Sequence, residues 1–144
     1  MFTLRGVSYC GKSTKVKDLA AWISTNYPKV INTGVNLMAG DIHGVLQIGK
    51  LKIGFVSAGD DFSCIAVNDD LIATDPDIDI IINTCRTKGK TRQHLERNYN
   101  FSTGWLVRNI YVQKINPSNP TLEASRDALI MDELKTWLTG LEKL

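Results

Sequence analysis

The residues with the most specific chemistry form one stretch, Gly6-Val7-Ser8-Tyr9-Cys10-Gly11-Lys12-Ser13-Thr14. Two glycines frame four residues, and an ammonium and two hydroxyls follow at once. Glycine lets a backbone turn tightly and come close to an anion. Successive N–H groups in such a turn point inward and make a concave nest for phosphate oxygens. A helix starting near Lys12 would aim its free amides and positive dipole end at the same anion. Lys12 would then reach the β- and γ-phosphates of a nucleotide. The Ser13 hydroxyl would face Mg²⁺, with Thr14 as a second hydroxyl.

The flanks suit that chemistry. Phe2-Thr3-Leu4-Arg5 reads as a short strand, and Lys12 to Tyr27 reads as a helix with Val16, Leu19, Ala20 and Ile23 on one face and Trp22 beside them. The helix should stop before Pro28. Strand, G-x-x-x-x-G-K-S and helix, in that order, are the context the phosphate-binding pattern requires. A chance match in a chain of this length is on the order of one per cent or less. An ordinary glycine-rich turn between strand and helix is the competing reading. On these residues the chain resembles the P-loop NTPase superfamily, with the sharp match confined to residues 2 to 27. The resemblance implies a nucleoside triphosphate site that uses Mg²⁺, with Gly6 to Thr14 as the nucleotide-binding loop.

The chain has 144 residues, 43% of them hydrophobic, enough for one domain spanning 1–144 with one core. A net charge of +2 argues against a general nucleic-acid binder. No apolar run approaches the roughly 20 residues that span a bilayer. No leader is expected ahead of a strand that starts at Phe2. Cys10, Cys64 and Cys85 are widely spaced and odd in number, so neither a metal pair nor a disulfide framework is expected, and a reducing cytoplasm is the expected setting.

Val30 and Ile31 open a second strand, and Asn32 to Asp41 reads as a loop. In P-loop switch proteins a threonine from this place closes over Mg²⁺, and Thr33 is the candidate; an ordinary loop threonine is the alternative. Residues 41–48 and 51–57 alternate apolar and polar around Gly49-Lys50, which predicts a β-hairpin. Small GTPases carry such a hairpin, so the resemblance leans toward their branch. Their Asp-x-x-Gly acid would fall at Val56, where there is none. Asp60 and Asp61 are the nearest substitutes, to hold Mg²⁺ or position a water, or else a helix N-terminal acid pair.

Residues 53–85 lack Lys and Arg but hold Asp60, Asp61, Asp69, Asp70, Asp75, Asp77 and Asp79. Phe62 to Ile72 suits a helix. Ile78, Ile80, Ile81 and Ile82 suit a parallel strand buried on both faces. After it, Asn83-Thr84-Cys85-Arg86 matches the GTPase Asn-Lys-x-Asp only at Asn83. A guanidinium cannot accept the guanine N–H groups, so ATP is preferred to GTP. Arg86, Lys88, Lys90, Arg92 and Arg97 follow. If extended, the cations at alternate positions from Arg86 to Arg92 would line one side, as a finger to the γ-phosphate, a kinase-like lid or a grip on an anion, against the reading of a solvated basic loop. Arg86 and Arg92 are the picks, because guanidinium forks suit phosphate oxygens. The stretch Arg86–Arg97 is also where a nucleic acid would touch. His94 and His43 read as lone surface histidines.

Leu106 to Ile115 reads as a strand and Asn116-Pro117-Ser118-Asn119-Pro120 as the turn at its end, placed by topology to border the base. Asn119 caps, and Pro120 starts, a closing helix to about Leu141 with Ile130, Leu134, Trp137, Leu138 and Leu141 as its apolar stripe. Leu141 and Leu144 could reach a protein partner or a second copy.

The fold expected is α/β, a three-layer P-loop NTPase-like sandwich: a mainly parallel sheet with one antiparallel hairpin and helices on both faces. The function expected is binding of a nucleoside triphosphate, ATP before GTP, and Mg²⁺-dependent hydrolysis. Lys12, Asp60, Arg86 and Arg92 are the catalytic candidates, and Ser13 and Asp60 the Mg²⁺ candidates. A small nucleotide or metabolite kinase and a non-catalytic nucleotide-bound switch or interaction module are the alternatives.

Overall fold

A computed structural model describes residues 1–143; Leu144 lies outside the described residues. The elements are β1 (Phe2–Arg5), α1 (Lys12–Asn26), β2 (Ile31–Thr33), β3 (His43–Ile48), β4 (Leu51–Val56), α2 (Phe62–Thr74), β5 (Ile80–Cys85), α3 (Lys90–Asn98), β6 (Arg108–Tyr111) and α4 (Pro120–Leu141). One six-stranded sheet runs in the order β2-β3-β4-β5-β1-β6. β3 runs against both its neighbours, and the remaining pairings are parallel. The chain is therefore α/β with a mixed, mainly parallel sheet. Among the described residues no helix is long and apolar enough to cross a membrane.

Period-two alternation divides the strands between two layers of helices. Phe2 and Leu4 of β1, Ile53 and Phe55 of β4, and Ile80 and Ile82 of β5 pack with Val16, Leu19, Ala20 and Ile23 of α1 and with Ile130, Leu134 and Leu138 of α4. On the opposite face Ile81 meets Leu71 and Ile72 of α2, while Cys85 meets Ile65 of α2 and Leu95 of α3. Burying each large side chain contributes about 1.5–3 kcal/mol, so the α1/α4 layer fixes β1 and the start of α1 most firmly.

Three sequence expectations change. The last strand is Arg108–Tyr111 rather than 106–115, because β1, its one partner, is itself only Phe2–Arg5. Trp137 is 46% exposed, lying against Phe2 with ring centroids 5.7 Å apart at the rim of the core rather than inside it. Thr33 pairs with Val45 at the edge of the sheet and is held there by β3, away from the glycine loop.

Candidate functional site

β1 lies between β5 and β6, so the loop that follows it is flanked by the loops at the ends of both. The helix after β1 packs on one face of the sheet and the helix after β5 on the other. That divergence opens a crevice at the carboxyl ends of β1 and β5, the usual ligand position of an open α/β sheet. β5 also separates β1 from β4. The Ser57–Asp61 loop therefore reaches the Gly6–Thr14 loop across the end of β5.

The Gly6–Thr14 loop is anchored at its start by the Gly6 amide, which donates to the Cys85 carbonyl at 3.3 Å. A Cβ on Gly6 would lie 2.5 Å from Cys10 Sγ and 2.7 Å from the Val112 carbonyl, so no side chain fits. Tyr9 has φ 60°, and Gly11, the N-cap of α1, has φ 95°. Ser8 and Tyr9 form a hydrogen-bonded turn, and among the described residues the amides of residues 7–9 and 11–14 have no acceptor. α1 also lacks a side-chain cap. A run of unpaired donors at a helix N-terminus is suited to an anion.

Lys12 is 4% exposed. Its ammonium donates to the Gly6 carbonyl at 2.9 Å and the Val7 carbonyl at 2.8 Å, and it lies 3.2 Å from Asp60 Oδ1. An ammonium has three N–H groups, and these three oxygens match them. Asp60 is thus brought to the loop. Asp61 is not: it is the N-cap of α2, where the Ser63 hydroxyl and the Cys64 amide hold its carboxyl below the ordinary range. The acid-pair reading holds for Asp61 and not for Asp60. The loop that carries them drapes over β5 so closely that a Cβ on Gly59 would sit 1.9 Å from the Thr84 carbonyl oxygen, which only glycine avoids.

Ser13 Oγ donates to the Ser57 carbonyl at 2.8 Å, and Thr84 Oγ1 donates to the same oxygen at 2.9 Å. The Ser13 proton is thereby committed, and its lone pairs are free to face a cation. Ser57, fully buried, also donates through Oγ to Asp41 Oδ1 at 3.0 Å and accepts from the Ile42 amide at 2.7 Å. Asp41 and Ser57 were not singled out from the sequence. The hairpin register could have found them, since His43 opposite Val56 puts Ile42 opposite Ser57 and Asp41 at the same sheet edge as the glycine loop.

Arg86 reaches the loop as well, donating from Nη2 to Ser8 Oγ at 2.9 Å. Arg92 turns elsewhere, to Glu96 at 2.8 Å and to the Thr87 carbonyl at 2.7 Å. Val56, where the resemblance places an acid, is buried in β4. His94 is not a lone surface residue. Its Nε2 lies 2.7 Å from Asp69 Oδ2, its ring meets Phe62 edge-on, and Tyr99 bonds the other Asp69 oxygen, which ties α2 to α3. Burial first, then the Asp69 carboxylate, pushes the Tyr99 hydroxyl well above its usual range.

A family-model scan, a search of curated proteins and a search of solved structures each found no match to this chain. The site has to be read from its own geometry.

On the side of the loop away from Arg86, a cavity of about 450 Å³ is lined by Tyr9, Gly11 and Lys15 and, from the far wall, Lys114, Asn116 and Ser118. The turn after β6 thus does border the glycine loop. Beneath it Lys15, 3% exposed, pairs with Asp127 at 2.8 Å, and Arg126 pairs with Asp127 and the Gln113 carbonyl. Burial alone would raise the Asp127 carboxyl; Lys15 and Arg126 outweigh it and hold it below the usual range. Among the described residues no group of three or more His, Cys, Asp or Glu side chains gathers as a metal site. Mg²⁺ needs no such group: it is held by one or two protein oxygens with phosphates and waters. The hard oxygens at this edge are those of Ser13, of Asp60 on Lys12, and of Asp41, which is joined to Ser13 through Ser57.

Proposed function

We propose that this chain is a small P-loop NTPase that binds a nucleoside triphosphate, ATP before GTP, at Gly6–Thr14 and hydrolyses it with Mg²⁺. The reading rests on one observation above the others: a glycine loop between a strand and a helix carries unpaired amides and a buried ammonium held on its own carbonyls. Amides and helix dipole take the phosphate oxygens. Lys12 neutralises the charge that grows on the transferred phosphoryl group. Ser13 would hold Mg²⁺ through its lone pairs, and the ion would supply neutralisation of phosphate charge. Asp60 is half exposed and is the charged partner of Lys12, so it is the partner a phosphate oxygen on Lys12 would displace. Once released it is free to turn toward Mg²⁺ or the attacking water. Arg86, already on Ser8, serves as the finger; Arg92 would have to leave Glu96 to act.

The cavity beside Lys114 and Asn116 falls within the range of small-molecule sites and is the place for the nucleoside. Arg86 engages Ser8 rather than this cavity, so the preference for ATP rests on the missing guanine-reading acid alone.

The apolar strand end at Val56 favours a second reading, a module that holds its nucleotide without turning it over. Calorimetry with ATP, GTP, ADP and AMP in Mg²⁺, repeated on Lys12→Ala, tests the first reading. Removing the ammonium should weaken triphosphate binding by roughly 2–4 kcal/mol. Equal binding by wild type and variant would remove the proposal. Tight binding without phosphate release would select the module.

A further inference from the structure

We propose that Asp41 is the outer-shell carboxylate of the Mg²⁺ site, the acid that stands in for the one absent at Val56. The inference rests on the nucleotide reading above and adds a residue to it. One buried residue, Ser57, connects the two groups. Its carbonyl takes the Ser13 proton at 2.8 Å, and its hydroxyl donates to Asp41 Oδ1 at 3.0 Å. Among the described residues Oδ2 of Asp41 has no hydrogen-bond partner, and the residue is exposed at the sheet edge where the Ser13 hydroxyl lies.

The segment before Asp41 is fastened in place. The Lys17 ammonium, from α1 one turn after Ser13, donates to the Ala39 carbonyl at 2.6 Å and the Gly40 carbonyl at 3.1 Å. After it, the Ile42 amide bonds Ser57 Oγ and the Ser57 amide bonds the Ile42 carbonyl. The carboxylate is thus held from both sides, with one oxygen anchored and the other free. Such a group suits a water of a magnesium ion, because Mg²⁺ dehydrates reluctantly and keeps several waters between itself and the protein. Asp41 acts through that water and through Ser57, so it is a positioning residue.

The test measures affinity for the non-hydrolysable analogue AMP-PNP by calorimetry, in EDTA and in Mg²⁺, for wild type, Asp41→Asn and Asp41→Glu. An asparagine oxygen still accepts from Ser57, so the Asn variant removes the charge and spares the hydrogen bond. Wild type should bind more tightly with Mg²⁺ than in EDTA. Asp41→Asn should match wild type in EDTA and lose about 10–100-fold of the Mg²⁺-dependent gain, the usual effect of an outer-shell change. Asp41→Glu, which keeps the charge, should retain most of the gain. Mn²⁺ binding to the AMP-PNP complex, read by electron paramagnetic resonance, should weaken in parallel. An undiminished gain in Asp41→Asn would overturn the inference while leaving the nucleotide reading intact. So would an equal loss in EDTA, or a Glu variant as weak as the Asn variant. Absence of AMP-PNP binding by wild type would overturn the nucleotide reading itself.

Discussion

On the α1/α4 side the sheet presents Phe2, Leu4, Ile53, Phe55, Ile80 and Ile82 to helices that answer with aliphatic side chains. On the α2/α3 side the same strands present Thr3, Arg5, Gly54 and Asn83 among a few isoleucines. There two small apolar clusters are joined by hydrogen bonds: Asn83 to Asn68 at 2.8 Å, His94 and Tyr99 to Asp69, and Arg5 and Arg92 to Glu96. The first layer gains its stability from area, which is non-directional. The second depends on partners meeting one by one, and a missing partner costs more than a missing contact. The division matters for the site. The glycine loop grows from β1 into α1, on the apolar side. The loops carrying Asp60 and Arg86 lead into α2 and α3, on the polar side. The cradle is anchored in area and its charged partners in hydrogen bonds.

The largest expected effect is on the apolar layer. Phe55 is fully buried, and Phe55→Ala should cost about 3–5 kcal/mol in chemical denaturation. A loss below about 1 kcal/mol would mean that this face does not dominate the fold.

The contrast between the layers also sets what the sequence could reveal. The i, i+3, i+4 stripe of α1, the alternation about Gly49-Lys50 and the Asn119-Pro120 cap all survive in the structure, because burial on one face imposes a period on residue types. Strand direction alone put the Asn116–Ser118 turn at the sheet edge of the glycine loop, and the two line one cavity. Asn83, His94 and Asp41 gave no such signal. Each meets a polar partner 15 or more residues away, Asn68, Asp69 and Ser57, and a polar pair of that kind has no periodicity. Asn83 even fitted a GTPase-like position by type, yet its amide is buried against α2. Lys12 and Ser13 stood out by residue type and spacing; that Asp60 and Ser57 hold them did not.

A smaller effect separates contact from pairing on the polar side. Asn83 Oδ1 and Asn68 Nδ2 are buried and lack partners, so the pair already holds one bond where more could form. Asn83→Ala should cost about 1–3 kcal/mol by leaving Asn68 Oδ1 without its donor. Replacing Asn68 and Asn83 together with leucine should recover most of that loss, since an apolar pair leaves nothing unsatisfied. If the double variant is the less stable of the two in denaturation, the layer depends on its polar pairing and the comparison with the apolar layer sharpens. If it exceeds wild type, the asparagines are not kept for stability.

The smallest effect is a matter of sign. Each layer holds a carboxylate depressed by cations, Asp127 on α4 and Glu96 on α3. For Glu96 the Arg92 hydrogen bond is the main cause; burial opposes it and Arg5 assists. A depressed carboxyl stabilises the fold above its unfolded value, about 4.3 for glutamate, and the benefit disappears as pH falls through the folded value. Glu96 and Arg92 are both more than 40% exposed, so water screens most of that benefit. Glu96→Gln should therefore lower stability by only about 0.5 kcal/mol at neutral pH, and the gap to wild type should close below about pH 4 and in high salt. Asp127 pairs instead with the buried Lys15 ammonium, and its contribution should resist salt while fading over the same acid range. Denaturation curves of wild type, Glu96→Gln and Asp127→Asn across pH, at low and high salt, measure both. Equal salt sensitivity would mean that the two layers expose their charges alike, against the exposures seen for Arg92 and Lys15.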